Sequence, residues 1–171
     1  MYQLSVNNNK YLNIDMGIYN GGTPYATCEY VNGKYFITNA EINPANNKEL
    51  GIKIVYGDGL TFSSPKVMYF NAGSTDSNSN MTSQYINIKY GNGQYAFMVR
   101  TNTNFYGVYY TSNLDGDWTY KAYGTGTTTN SQYCTGQWLK YVNNMWFIGC
   151  NTYSGSSSGT CYVYYYAGSS V

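Results

Sequence analysis

Along the chain, aromatic and β-branched residues alternate with polar ones in short runs, and the runs end in clusters of Gly, Asn, Ser and Asp. Alternation with a period of two, bounded by turn residues, predicts antiparallel strands with one face more apolar than the other. No segment shows the spacing of an amphipathic helix, and the strong helix formers Ala, Leu and Glu are scarce. The pattern predicts an all-β chain.

The runs repeat. Glu29–Thr38 reads EYVNGKYFIT, the segment from Lys89 begins KYGNGQYAFMV, and Lys140–Cys150 reads KYVNNMWFIGC. Each is a strand ending in a tyrosine and a spacer, an Asn-Gly or Asn-Asn turn, one further spacer, then an aromatic that opens a second strand. These dipeptides tolerate the positive φ of a tight hairpin turn. Tyr35, Tyr95 and Trp146 are the anchor aromatics. A second landmark follows two of the hairpins. IVYGDGLTF (Ile54–Phe62) and VYYTSNLDGDWTY (Val108–Tyr120) each run a strand into an Asp-Gly turn, after which Phe62 or Trp118 opens the next strand. The third unit supplies only VYYYAGSSV, Val163–Val171. Counting back from Tyr35 by the Phe62–Tyr95 spacing lands on Tyr2, so YQLSV is expected to supply the missing strand. The 171 residues then form a single all-β repeat domain of three four-stranded units, each about 57 residues long. The units run roughly 7–62, 63–118 and 119–171, with strand 2–6 completing the last.

Strand, Asn-Gly turn, strand, strand and Asp-Gly turn with a following aromatic resemble the sialidase-type, Asp-box (BNR-like) β-propeller repeat. The residues that carry the resemblance are Asn32-Gly33, Asp58-Gly59-Leu60-Thr61-Phe62, Asn92-Gly93 and Ser112–Trp118. The spacing inside each Asp-Gly turn departs from the strict family box. The resemblance implies propeller-like blades. Three blades do not close a ring, since propellers typically use about 4–8. The chain is then part of something longer, or two copies give six blades, or the three units build a β-trefoil or β-prism. The resemblance also raises sialidase chemistry, which uses an arginine cluster to clamp a carboxylate, a tyrosine–glutamate pair and a further acid. Arg100 is the single arginine of this chain and cannot supply that clamp.

Composition narrows the chemistry. The chain has no histidine, which removes imidazole-based triads, proton shuttles and histidine-ligated zinc. Net charge is +1, with nine lysines and arginines spread along the chain, so no cationic groove for nucleic acid is expected. A two-carboxylate glycosidase would draw on Asp15, Glu29, Glu41, Glu49, Asp58, Asp76, Asp115 and Asp117. Asp58, Asp115 and Asp117 are accounted for by turns, and Glu41 and Glu49 by a loop or hairpin end. Glu29 stands beside a core strand and reads as a solvent-facing strand residue, though it is the acid whose position is the least ordinary. Asn113, Asp115 and Asp117 resemble a fragment of a calcium loop without its terminal glutamate, so turn capping is the reading and no metal or cofactor is expected. No catalytic residue is assigned, and the chain is expected not to be an enzyme.

Four cysteines form no C-x-x-C pair. Cys150 and Cys161 flank an apparent hairpin loop and are a disulfide candidate, with a pair of small buried hydrophobes as the alternative; Cys28 and Cys134 read as buried thiols. The first ten residues lack a secretory signal pattern, and no stretch reaches the ~18 apolar residues of a membrane helix, so no membrane insertion is expected.

What remains is an excess of aromatic side chains, 23 of them tyrosine. Tyr106, Tyr109, Tyr110, Tyr164, Tyr165 and Tyr166 alternate across strand faces, so about half of them point away from any one core face. With Trp118 and Trp138 they are the candidate ligand-binding residues, because exposed Tyr and Trp among Asn, Ser and Thr recognise sugars and protein surfaces. Sheet packing is the competing account. The Ser/Thr/Asn/Gly tracts at Ser74–Ser83, Thr125–Ser131 and Ser154–Thr160 read as long loops. The expected function is a non-catalytic module that binds a cell-surface glycan or protein, in an extracellular or virion-associated setting such as a phage appendage or adhesin. It is expected to work as a homo-oligomer or within a larger assembly. A purely structural subunit and a degenerate glycosidase are the alternatives.

Overall fold

The computed structural model describes residues 26–42, 45, 50–70, 86–100, 106–123, 132–154 and 161–171. Among these residues every regular element is a strand: β1 (Thr27–Val31), β2 (Lys34–Ile42), β3 (Leu50–Gly57), β4 (Lys66–Phe70), β5 (Lys89–Gly91), β6 (Gln94–Arg100), β7 (Tyr106–Thr111), β8 (Thr119–Ala122), β9 (Gln132–Val142), β10 (Met145–Ser154) and β11 (Cys161–Gly168). They form antiparallel sheets β1-β2-β3-β4, β5-β6-β7-β8 and β11-β10-β9. The proposed strand 2–6 lies outside the described residues. The expected unit boundaries are corrected, because β4 and β8 pair inside the first and second sheets rather than opening the next.

The three hairpins share one geometry. Asn32 and Gly33 have φ of 47° and 78°, Asn92 and Gly93 of 47° and 74°, and Asn143 and Asn144 of 50° and 59°. Two successive positive φ values define the turn whose twist matches that of paired strands, and Asn and Gly are the residues that adopt it most cheaply. The register beside each turn is also shared: Tyr30 faces Tyr35, Tyr90 faces Tyr95, and Tyr141 faces Trp146.

The second sheet is the centre of the molecule. Its strand β6, QYAFMVR, shows no polar alternation because both of its faces are buried. Tyr95, Phe97 and Val99 join Phe36, Ile52, Ile54 and Tyr56 of the first sheet in one core. Ala96 and Met98, with Val108 of β7, join Leu139, Trp146 and Ile148 of the third sheet in the other. Three sheets thus stack face to face in chain order. Phe36, Phe97, Ile52, Ile54, Trp146 and Ile148 are 0–1% exposed, and such side chains contribute about 1.5–3 kcal/mol each on burial.

Polar groups tie the sheets as well. Glu29 Oε2 accepts the backbone N–H of Ile88 at 2.6 Å. The expectation of a solvent-facing Glu29 is therefore corrected: its side chain turns inward to satisfy the strand entering the second sheet. Thr27 Oγ1 donates to the carbonyl of Ile86 at 3.1 Å, and Asn32 Nδ2 donates to the Tyr95 hydroxyl at 2.9 Å.

The two Asp-Gly turns turn out to be built differently. Asp58 Oδ1 accepts the N–H groups of Leu60 and Thr61, both at 2.8 Å, as expected of a turn aspartate. These bonds hold its carboxyl below the usual carboxylate range. In the second turn Asn113 does that work, its Oδ1 accepting Asp115 N–H at 3.0 Å. Asp115 is released from capping and instead accepts the hydroxyl of Tyr56 from the first sheet. Glu41, expected in a loop or hairpin end, lies at the end of β2, opposite Gly51.

The register removes the Cys150–Cys161 bridge. Cys150 lies opposite Tyr164 and Cys161 opposite Tyr153. The two are three residues out of register, about 10 Å along the strands at ~3.4 Å per residue. An odd offset also puts them on opposite faces. A disulfide needs Cα atoms about 4.4–6.8 Å apart. Cys28, expected to be buried, is a free and exposed thiol.

Candidate functional site

The candidate aromatic residues do not converge. Tyr109 is in the core between the first and second sheets, stacked at 5.4 Å on Phe97, and its hydroxyl donates to the carbonyl of Tyr69 at 3.2 Å. Burial, with Tyr120 beside it, pushes that hydroxyl up to about 12. Trp118 packs on the same core, tilted against Phe97 at 5.2 Å. Tyr110 and Tyr166 pack against the other core. Tyr166 also lies 5.0 Å from the Tyr123 ring, with the Lys121 ammonium 5.4 Å from its own ring. These four serve sheet packing. Tyr106 lies in β7 opposite Arg100, and Tyr164 in β11 opposite Cys150; their side chains lie outside the described residues.

Tyr165 and Trp138 remain, and the sheet places them together. Gly149 of β10 faces Trp138 on one side and Tyr165 on the other. All three belong to one cross-strand row, on the face opposite Leu139 and Ile148. Their Cα atoms span two strand spacings, so Trp138 and Tyr165 stand about 10 Å apart. Between them is Gly149, which has no side chain and is itself buried. Tyr165 is 69% exposed and Trp138 half-buried.

The neighbouring rows extend this outer face of the third sheet. Lys140, Phe147 and Ala167 form one row, and Val142 with Met145 the next. Val142 is 49% and Met145 39% exposed. The face is therefore aromatic and aliphatic, with one ammonium group. Phe147, Val142 and Met145 were missed in the sequence because the apolar stretches that hold them, Tyr141-Val142 and Met145–Ile148, do not say which face of the sheet each residue takes. Their signal is register: superposing the three hairpins puts Phe147 at the position of Phe36 and Ala96. The same superposition sets Tyr165 at the position of Ile54 and Val108, which are 1% and 0% exposed.

Among the described residues no catalytic constellation stands on this face, and no group of three or more His, Cys, Asp or Glu could hold a metal ion. Among the described residues no helix is long and apolar enough to cross a membrane. The most perturbed polar pair is structural: Tyr56, pushed up to about 12 by burial first and by its bond to Asp115 second, sits between the first and second sheets.

Geometry thus defines an all-β protein of stacked antiparallel sheets with an exposed aromatic face. The chain matches no protein-family model, and no curated protein is detectably similar in sequence. The sialidase-type resemblance accordingly stops at all-β architecture. Among solved structures the chain is similar to the GH43 endo-arabinanase from Bacillus licheniformis, at 11% identity and a TM-score of 0.28, over 83% of this chain and 72% of that one. That structure is an enzyme's, so the expectation that this chain is not an enzyme is withdrawn. At that TM-score the likeness assigns neither a reaction nor a catalytic residue.

Proposed function

We propose that the chain is a recognition module whose binding face is the outer face of the third sheet, centred on Trp138, Gly149 and Tyr165. One observation carries the reading: Tyr165 is 69% exposed where its counterparts Ile54 and Val108 are 1% and 0% exposed. A large aromatic residue in solvent, at a position the other sheets keep dry, marks a surface that gains by being covered. The ligand is a glycan or a protein surface. The exposed Tyr165 ring suits the apolar face of a sugar ring, and the Val142–Met145 flank suits a protein. The weakly charged chain fits an extracellular or virion-associated setting, in which the module belongs to a larger assembly.

Replacing Tyr165 by Ser is the direct test. Glycan-array binding and solution mass are measured for both proteins. Loss of a central aromatic anchor costs about 2 kcal/mol, roughly 30-fold in affinity. If neither glycan binding nor association responds to Tyr165→Ser, the reading is wrong.

A further inference from the structure

From the three hairpin ends we infer a second binding surface, apart from the outer face of the third sheet, that takes a linear glycan across Tyr30 and Tyr90. Beside each turn the same two-ring unit recurs. Tyr30 leans on Tyr35 with ring centres 4.8 Å apart at 51°, Tyr90 on Tyr95 at 4.7 Å and 53°, and Tyr141 on Trp146 at 5.0 Å and 53°. The inner ring of each pair is the anchor: Tyr95 and Trp146 are buried and Tyr35 is half-buried. The outer ring is a tyrosine each time, on the first strand of its sheet. Cross-strand packing accounts for the pairs. It does not account for how differently the outer rings are covered.

The seat for an outer ring is a residue of the preceding sheet. Tyr141 lies directly on Gly91 of the second sheet, where a Cβ would come within 2.1 Å of the ring. The same position in the first sheet is Val31, half-buried against the first core. Its side chain occupies the seat, so Tyr90 is kept outside the first seam and is 38% exposed. Tyr30, on the face of the first sheet turned away from the second, is 64% exposed. Two of the three outer rings are thus presented to solvent, each held in orientation by its anchor, so little side-chain freedom is lost when a ligand covers them.

The ground between these two rings is polar and continuous. Asn32, in the first turn, donates from Nδ2 to the Tyr95 hydroxyl at 2.9 Å, which ties that turn to the second ring pair. Asn32 is exposed, and the bond leaves its amide oxygen to accept from a ligand. Lys34 is the cross-strand partner of Val31 and shares its face, towards the second sheet. Tyr30 and Tyr90 stand on successive stacked sheets, so their backbones lie about 10 Å apart. Two flat apolar faces at a fixed interval, with an amide and an ammonium group between them, suit a chain of sugar units: ring faces stack on the tyrosines and hydroxyls meet the polar groups. A protein partner is anchored in a desolvated pocket, whereas these rings stand apart. Lys34 alone between them, among the described residues, does not make the cationic groove that nucleic acid needs.

The test uses the whole chain on an array of linear oligosaccharides, neutral and acidic, from monosaccharide to octasaccharide. Affinity should climb once the saccharide is long enough to reach both rings, about 10 Å apart. For the tightest binder on the array, Tyr30→Ile and Tyr90→Ile keep strand-forming side chains and should each lower affinity about tenfold. Tyr30→Phe, which keeps the ring, should stay near wild type. Should the isoleucine variants fail to fold, the wild-type protein carries the test: the bound oligosaccharide should slow nitration of Tyr30 and Tyr90 by tetranitromethane, followed by peptide mass, and leave Tyr165 as reactive as before. No binder on the array, an affinity indifferent to saccharide length, or a binder that neither isoleucine variant weakens overturns the inference. A binder that shields Tyr165 while sparing Tyr30 and Tyr90 overturns it as well, and leaves the face on the third sheet standing.

Discussion

Gly91→Ala tests the packing logic of the stack with one methyl group. The added Cβ would lie 2.1 Å from Cγ of Tyr141 and 2.3 Å from Cδ1. Cγ is the root of the ring, so spinning the ring about its own axis relieves nothing; the whole side chain must swing away. In doing so Tyr141 leaves its tilted contact with Trp146, now at 5.0 Å, and the seam between the second and third sheets loosens. Overpacking of this kind costs about 1–3 kcal/mol, against about 0.5–1 kcal/mol that alanine regains over glycine in strand conformation. A net loss of about 1–2 kcal/mol is expected, from a total that is about 5–15 kcal/mol for proteins generally. Tyr141→Ala alone removes the ring and should cost about 1–3 kcal/mol. The double variant removes the clash with its cause, so the two losses should fall short of adding by about 1 kcal/mol or more. Urea midpoints with constant m-values measure all four proteins. Additive losses, or a Gly91→Ala protein as stable as wild type, would refute the seating of Tyr141 on Gly91.

Other consequences follow from groups that bridge the sheets. The hydroxyls of Tyr56 and Tyr109 are raised to about 12 in the folded chain from an ordinary 10.0, so their contribution to stability is intact below pH ~10 and is lost as pH rises towards 12. Alkaline titration followed in the tyrosinate absorbance should show a late-ionising subset that vanishes on unfolding, and Tyr56→Phe should shrink it; simultaneous ionisation of every tyrosine in the folded protein would contradict the assignment. Glu29→Ala leaves the Ile88 N–H without its 2.6 Å acceptor and should cost about 1–3 kcal/mol in urea unfolding, with Glu29→Gln, which keeps an acceptor, costing less. Asp58→Ala should lower the melting temperature more than Asp58→Asn does. Because the Asp58 carboxyl is held low in the folded chain, its contribution is present above the usual aspartate range and disappears as pH falls through the depressed value; a melting-temperature difference from Asp58→Ala that persists in strong acid would count against it.

How much of this was legible depended on how local each signal is. The three hairpins could be read because a tight turn with two positive φ values restricts its own residues to Asn and Gly, whatever surrounds it. The all-β class followed from alternation; that β6 is buried on both faces emerged only with the sheets in place. Register was not legible: the Cys150–Cys161 pairing failed because alignment across a long hairpin is set by the whole ladder and not by loop-flanking position. The partner of Asp115 was hidden for a related reason. Asp58 and Asp115 stand in similar local strings, yet Asn113 satisfies the second turn from within, and the carboxylate is then drawn to a tyrosine 59 residues away.

The aromatic excess was the hardest feature to place, and register resolves most of it. A tyrosine in a strand has two meanings, one for each face, and sequence alternation alone does not say which face has a neighbour. Once the hairpins are superposed, each position carries its own control: Ile54 and Val108 show what the Tyr165 position does in a sheet that has a neighbour, and Ile88 and Leu139 show the same for Cys28. Tyr165 and Cys28 are then not scattered exposures of the kind any surface carries. They fall at the two ends of one stack, at positions that are buried wherever the stack continues. That contrast between equivalent positions is why Tyr165 bears on recognition while Tyr109, Tyr110 and Tyr166 bear on stability.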